Sequence, residues 1–269
     1  MTAGASGSTL PVVADGSVER RDHVVALLRD CDKVVALTGA GLSTESGIPD
    51  FRSPGGVWEW FRPVEYADFQ RSAEAREEHW RYKAATIPVM LEARPNPAHE
   101  ALARLESAGR LLGVITQNID GLHQAAGSRT VLELHGTNRN AVCLACSRVE
   151  PIEPVLARLA AGEAVPQCGA CRGAMKPATV SFGQMLPPDV LRQAMELARR
   201  ADCLLALGTS LQVQPAASLV DVSREHGAAV IVVTRSSTPY DALADAKLDD
   251  PLGACLPRIV AAVLGQRAS

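Results

Sequence analysis

The sequence has no apolar run near the ~20 residues that a bilayer-crossing helix requires, which argues against an integral membrane protein. It has few lysines, four against 23 arginines, and a formal net charge of −3. No global basic field therefore draws in DNA, RNA or anionic lipid. The first 17 residues are rich in Gly, Ala, Ser and Thr and carry neither Arg nor Lys. A secretory signal needs a basic start and an apolar stretch, and a mitochondrial presequence needs arginines. Residues 1–17 are expected to be a disordered tail on a cytoplasmic protein. No repeat of 20 to 50 residues is visible, which excludes a solenoid.

What is present suits a soluble globular chain. Apolar residues make up 47% and charged residues 21% of 269 positions, enough for one large domain carrying a smaller one. Apolar runs at 33–38, 111–116, 203–207 and 229–233 read as short buried strands. Helical patterns at 18–30, 97–108, 188–200, 216–226 and 253–264 alternate with them. Strands that are apolar throughout, alternating with helices, predict an α/β fold: a Rossmann-like parallel sheet with helices on both faces. Two stretches break the rhythm. Residues 53–94 hold all three tryptophans and a helix around 73–85, and residues 137–177 hold cysteine pairs with little strand character. Both read as insertions forming a smaller zinc-ribbon/helical domain. The expected division is 18–52, 95–136 and 178–269 for the nucleotide-binding core, and 53–94 with 137–177 for the small domain.

Seven cysteines cannot all pair, and four form two Cys-x-x-Cys units, Cys143 with Cys146 and Cys168 with Cys171. Each unit makes half of a tetrahedral thiolate site, and the 21 residues between them suit a zinc ribbon. Four thiolates leave no position for water, so one structural Zn2+ is expected. A pair of redox sites would need a thioredoxin-like helix that is not visible. Cys31, Cys203 and Cys255 lie on apolar patterns and read as inert core residues.

Ligands of open parallel sheets bind at the carboxyl ends of strands, and the candidate motifs all follow expected strands. Gly39, Ala40 and Gly41 form a loop whose amides could approach a diphosphate. Read alone, this loop is as well explained by a tight turn. The third glycine of a dinucleotide fingerprint would fall at Thr44, and no lysine follows as in a nucleoside triphosphatase loop. The next stretch, ESGIPDFRS at 45–53, has no packing periodicity: Arg52 could pair with phosphate and Phe51 could cover a ring, unless this is a solvated loop. Gln117, Asn118, Ile119 and Asp120 place an amide and a carboxylate either side of an apolar residue, suited to a carboxamide and a ribose hydroxyl. Both polar residues are also good helix caps. His135 ends a short strand directly before the cysteine module and could be a general base near neutral pH. Gly208, Thr209 and Ser210 offer amides and hydroxyls to ribose or phosphate.

GAGLSTESGIPDFRS at 39–53 resembles the cofactor loop of the sirtuins, and the resemblance runs from about Val24 to the C-terminus. It extends to QNID at 117–120, HG at 135–136 and GTS at 208–210. The resemblance implies an NAD-dependent protein-lysine deacylase. Acyl oxygen attacks the anomeric carbon of NAD as nicotinamide leaves, and His135 takes a proton from a ribose hydroxyl. The products are free amine and O-acyl-ADP-ribose. It implies catalytic roles for His135, Asn118 and Asp120. Cofactor contacts are implied at Gly39, Ala40, Gly41, Thr44, Asp50, Phe51, Arg52, Gln117, Ile119, Gly208, Thr209, Ser210, Thr234 and Leu252. Val180, Phe182, Gly183 and Val213 would hold an acylated-lysine protein as an added strand, on a chain expected to be monomeric.

Departures from the family pattern accompany it. Thr234 stands where Asn is usual, Ser181 where an aromatic is frequent, and Gln184 where an acid is frequent. The Tyr-x-x-Arg pair of sirtuins that remove acidic acyl groups is out of register at 80–86, so malonyl or succinyl preference is not expected. The run at 94–99 and the region 69–80 resemble the branch of mitochondrial lipoamidase-type sirtuins and their bacterial relatives. Mono-ADP-ribosyl transfer to protein is the competing enzyme reading. A non-catalytic NAD-binding module is disfavoured by the presence of His135, Asn118 and Asp120.

Overall fold

The computed structural model describes residues 16–50 and 61–265. All but two residues of the expected tail fall outside it, and those two begin the first helix. In chain order the elements start with α1 (Gly16–Arg29), β1 (Val34–Thr38), α2 (Tyr66–Arg71), α3 (Ala73–Glu92), α4 (Pro97–Ser107), β2 (Leu111–Thr116), α5 (Leu122–Ala125), β3 (Val131–Glu133) and β4 (Gly136–Cys143). They continue with β5 (Val149–Pro151), α6 (Ile152–Ala160), β6 (Met175–Thr179), α7 (Pro188–Arg200), β7 (Cys203–Leu207), α8 (Ser218–Glu225), β8 (Ala229–Val233), β9 (Ala246–Leu248) and α9 (Leu252–Val263).

Six strands form a parallel sheet in the order β3-β2-β1-β7-β8-β9. Its central strands are apolar on both sides because both sides are covered. Val34 and Ala36 of β1 enter one core with Leu205, Ile231 and Val233, beneath Leu28 of α1, Leu102 of α4 and Ile259 of α9. Val35 and Leu37 enter the opposite core with Leu204, Val230 and Val232, beneath Leu197 of α7 and Leu219 of α8. Burying each such side chain contributes about 1.5–3 kcal/mol. The strand order reverses between β1 and β7, and a switch of this kind places a crevice at the sheet's carboxyl edge.

A second sheet is antiparallel, in the order β5-β4-β6. This differs from the little strand character read at 137–177. The reason lies in β4, whose buried positions include Asn138 beside Ala141 and Cys143, so no alternation of apolar and polar residues marks it. Helix α3 also runs further than expected, to Glu92, and carries Pro88 within it despite the lost backbone donor. Trp80 and Ile87 of α3 pack with Ile152, Val155, Cys143, Cys168 and Met175. Trp80 Nε1 donates to the Met175 carbonyl at 3.0 Å, satisfying the buried indole. The three cysteines outside the pairs, Cys31, Cys203 and Cys255, are buried.

Candidate active site

The loops after β1, β2 and β7 meet at the crevice, and the glycines permit the meeting. Gly39 N donates to the Leu207 carbonyl at 3.1 Å, and Gly41 N donates to the Gly208 carbonyl at 2.9 Å. A Cβ on Gly39 would stand 2.8 Å from Thr209 Cβ, and one on Gly41 would stand 2.9 Å from Gly208 Cα. These glycines therefore serve loop-on-loop packing as well as any ligand. Two 3-10 turns, Ala40–Leu42 and Thr44–Ser46, follow. Asn96 caps α4 and also donates through Nδ2 to the Leu42 carbonyl at 2.8 Å and to Ser46 Oγ at 3.1 Å, tying these turns to the fold.

Ser43, which the sequence did not single out, joins the two polar residues of the β2 loop. Its hydroxyl donates to Asp120 Oδ2 at 2.7 Å and accepts from Asn118 Nδ2 at 3.0 Å. Asn118 Nδ2 also reaches the Gly39 carbonyl at 3.1 Å, and Asp120 Oδ1 accepts from Leu122 N at 2.9 Å. Asp120 thus accepts from the first amide of α5, whose N-cap position is Gly121, and lines the crevice at once. Deeper, the Thr38 hydroxyl donates to Thr116 Oγ1 at 2.8 Å and stands 2.9 Å from His123 Nε2. Thr116 Oγ1 in turn accepts from Asn118 N at 3.0 Å. Burial pushes His123 down to about 3, so its ring is neutral.

His135 sits on the turn between β3 of the large sheet and β4 of the small one. Its Nδ1 lies 3.0 Å from the Gln117 carbonyl, which can only accept, so Nδ1 carries the proton and Nε2 keeps its lone pair. Burial lowers the ring's pKa, against the opposing pull of the Gln117 carbonyl. A neutral imidazole with a fixed tautomer is the form a general base requires.

These groups line one cavity of about 490 Å³. From the sequence reading it brings together Gly39, Ala40, Gly41, Asp50, Gln117, Asn118, Ile119, Asp120 and His135. Val180, Phe182, Gly183, Gly208, Thr209, Ser210, Val213 and Thr234 line it too. Thr44 does not: its hydroxyl turns back to the Gly41 carbonyl at 3.1 Å. Leu252 does not either, because it starts α9 and packs into the core. Phe51 and Arg52 lie outside the described residues. Residues 180–184 follow the end of β6 as a turn. Gln184 N donates to the Ser181 carbonyl at 3.0 Å, Ser181 N donates to Gln184 Oε1 at 3.1 Å, and Gly183 takes a φ of +74°. The far wall comes from α3, through His79, Tyr82, Lys83, Thr86, Val89 and Met90, none of which was among the expected site residues. A signal existed: His79, Lys83 and Met90 fall at helical spacing on the face that Trp80 and Ile87 bury.

The cavity suits a dinucleotide by its donors. Among the described residues, no acceptor meets the backbone amides of Ala40, Thr209 or Ser210, which leaves them for phosphate or ribose oxygens. In the small lobe, the Sγ atoms of Cys143, Cys146, Cys168 and Cys171 lie within 4.8 Å of one another. The Cys143–Cys171 pair is 3.4 Å apart and the Cys146–Cys168 pair 3.7 Å. A tetrahedral Zn2+ with bonds of about 2.3 Å needs sulfurs about 3.8 Å apart, so the four cysteines are positioned to bind one zinc ion. The amides of Cys146 and Ala145 point at Cys143 Sγ and pull that thiol down to about 6.

Residues 39–215 match the model of the Sir2 family. A relative from Thermodesulfovibrio yellowstonii, called NAD-dependent protein deacetylase, is 43% identical over 249 residues, covering 93% of this chain and 97% of the relative. NAD-dependent protein deacetylase 2 of Streptomyces coelicolor is 46% identical over 233 residues, covering 84% and 96%. Among solved structures, a Sir2 variant with a deacetylated p53 peptide and 3'-O-acetyl-ADP-ribose is similar with a TM-score of 0.86 at 38% identity, covering 92% of this chain and 100% of that one. A Sir2–p53 peptide–NAD+ complex is similar with a TM-score of 0.80 at 39% identity, covering 87% and 95%. No helix among the described residues is long and apolar enough to cross a membrane.

Proposed function

The chain belongs to the Sir2 family, and from that premise we propose how its residues carry out the NAD-dependent removal of acyl groups from protein lysine. The observation that carries the reading is the His135 imidazole, its proton fixed on Nδ1 by the Gln117 carbonyl, in one cavity with Asn118, Asp120 and the glycine loop. NAD, when bound, supplies the anomeric carbon that the acyl oxygen attacks as nicotinamide leaves. The amides of Ala40, Thr209 and Ser210 hold its phosphate and ribose oxygens. Asn118 and Asp120, locked to each other through Ser43, orient the nicotinamide ribose end. His135 Nε2 accepts the proton of a ribose hydroxyl, which frees that oxygen to take the acyl carbon. Water completes the transfer, leaving amine and O-acyl-ADP-ribose.

The acyl-lysine peptide lies against Val180, Phe182, Gly183 and Val213, and the small lobe with 53–94 and 137–177 works as a unit pinned by zinc. The protein acts as a monomer without nucleic acid, in accord with its net charge of −3. A cytoplasmic location accords with the reduced thiolates that the zinc set requires. The test is mass spectrometry of products from NAD and acyl-lysine peptides. Free lysine with O-acyl-ADP-ribose supports the reading; ADP-ribose attached to protein, with acyl groups retained, replaces it with mono-ADP-ribosyl transfer.

A further inference from the structure

Two of the chain's four lysines, Lys83 on α3 and Lys176 on β6, are buried without an ion-pair partner among the described residues. Lys176 Nζ meets the carbonyls of Pro177 and Thr179 on its own strand. Lys83 Nζ reaches across to β4 instead and donates to Asn138 Oδ1 at 3.1 Å. An apolar side chain of similar length would fill the same space without the cost of taking an amine out of water. Burial, with Lys176 nearby, draws Lys83 down to about 7. The ammonium and the neutral amine alike can donate to an amide oxygen.

What the amine supplies is the partner of a buried amide. Asn138 is 1% exposed, and its Oδ1 has no other partner among the described residues. Its Nδ2 is directed to Met90 Sδ at 3.0 Å. Lys83 and Met90 are seven residues apart on α3, hence on one face, and they hold the amide from both ends. Without Lys83, Oδ1 would bear its full desolvation penalty.

Asn138 bears on the active site through its backbone. Its N–H donates to the Ile119 carbonyl at 2.9 Å, and Ile119 stands between Asn118 and Asp120. Ser43 binds the side chains of those two residues from the β1 loop, whereas Asn138 binds the backbone between them from the small lobe. Three residues earlier, His135 Nδ1 meets the Gln117 carbonyl, so residues 135–138 hold the β2 loop at two points. Met90 adds an apolar contact, packing with Ile48 and Leu122 beneath Ile119.

We propose that Lys83 is a positioning residue for the NAD-dependent step: by holding Asn138 it fixes the Ile119 carbonyl, and with it the alignment of Asn118 and Asp120 on the nicotinamide ribose end of NAD. The chain of bonds runs to the cofactor side of the cavity, and the turn at 180–184 is closed separately by Ser181 and Gln184. The inference rests on the deacylase reading and adds to it a residue that lies in none of the motifs.

The test measures KM for NAD and KM for one acetyl-lysine peptide in the full-length wild type, Lys83→Met, Asn138→Ala and the double variant. In each single variant KM for NAD rises at least about fivefold, as expected for one lost hydrogen bond, while KM for the peptide stays within about twofold. The double variant is no worse than either single, because both substitutions cut one chain of bonds. A merely structural lysine would lower kcat through the unfolded fraction and leave both KM values unchanged, which overturns the proposal. A rise in peptide KM alone overturns it too, by placing the amine on the acyl group, as do effects that multiply in the double variant. Calorimetry of NAD binding needs no turnover and should show the same loss of affinity. A wild type that makes no O-acyl-ADP-ribose therefore removes the deacylase reading, while equal NAD affinity in wild type and Lys83→Met removes this one.

Discussion

Replacing Gly41 with alanine separates two jobs that one glycine does. The added Cβ would stand 2.9 Å from both Gly208 Cα and the Gly208 carbonyl oxygen, and 3.2 Å from the Gly208 carbonyl carbon. All three neighbours are backbone, so no rotamer change relieves the contact. Gly208 cannot yield easily: it holds a φ of +59°, and its N–H is bonded to the Val233 carbonyl at 2.9 Å. Overpacking a fixed contact of this kind costs about 1–3 kcal/mol. For a chain of this size each kcal/mol lowers the melting temperature by about 2–4 °C, which gives a fall of roughly 2–12 °C. The assay is a thermal melt followed by circular dichroism without NAD. An unchanged melt accompanied only by a higher KM for NAD would refute the reasoning, because it would leave ligand approach as the sole reason for glycine.

Two other outcomes follow from the buried groups. His79, His99 and His123 are held by burial at about 3, about 4 and about 3, against an unfolded value near 6.5. Their folded values are depressed, so as pH falls below about 6.5 the unfolded chain binds protons that the folded chain refuses. Stability is complete above that pH and lost progressively below it, by roughly 4 kcal/mol between pH 7 and 5.5 for the three together; equal urea midpoints at the two pH values would contradict this. Elemental analysis should find one zinc per chain, and a chelator should lower the melt and alter tryptophan fluorescence, because Trp80 shares a core with Cys143 and Cys168. A metal-free protein with an unchanged melt would refute the structural role of zinc.

The large sheet was legible because its central strands are buried on both faces, which leaves runs such as 203–207 wholly apolar. Three-residue β9 carries too short a run to announce itself, and parallel pairing with β8 creates it. The motif residues were legible because sheet ligands gather where strands end. Ser43 was not, since a loop serine has no periodicity and its role lies in bonds to residues 75 and 77 positions away. The small sheet hid behind its own buried polar groups: Asn138 and Lys176 occupy interior positions of β4 and β6 that a periodicity reading assigns to apolar residues. Lys83 did the same to α3. Thr44 and Leu252, carried over by resemblance, turn their side chains away from the cavity: Thr44 bonds the Gly41 carbonyl, and Leu252 at the start of α9 packs into the core.

The most direct measurement follows O-acyl-ADP-ribose formation by mass spectrometry in the wild type and in His135→Ala. A positioned general base contributes about 10²–10⁴-fold, so product formation should fall by at least about a hundredfold while the melt and NAD binding stay as they were. O-acyl-ADP-ribose made at the wild-type rate by the variant would contradict the placement of the base.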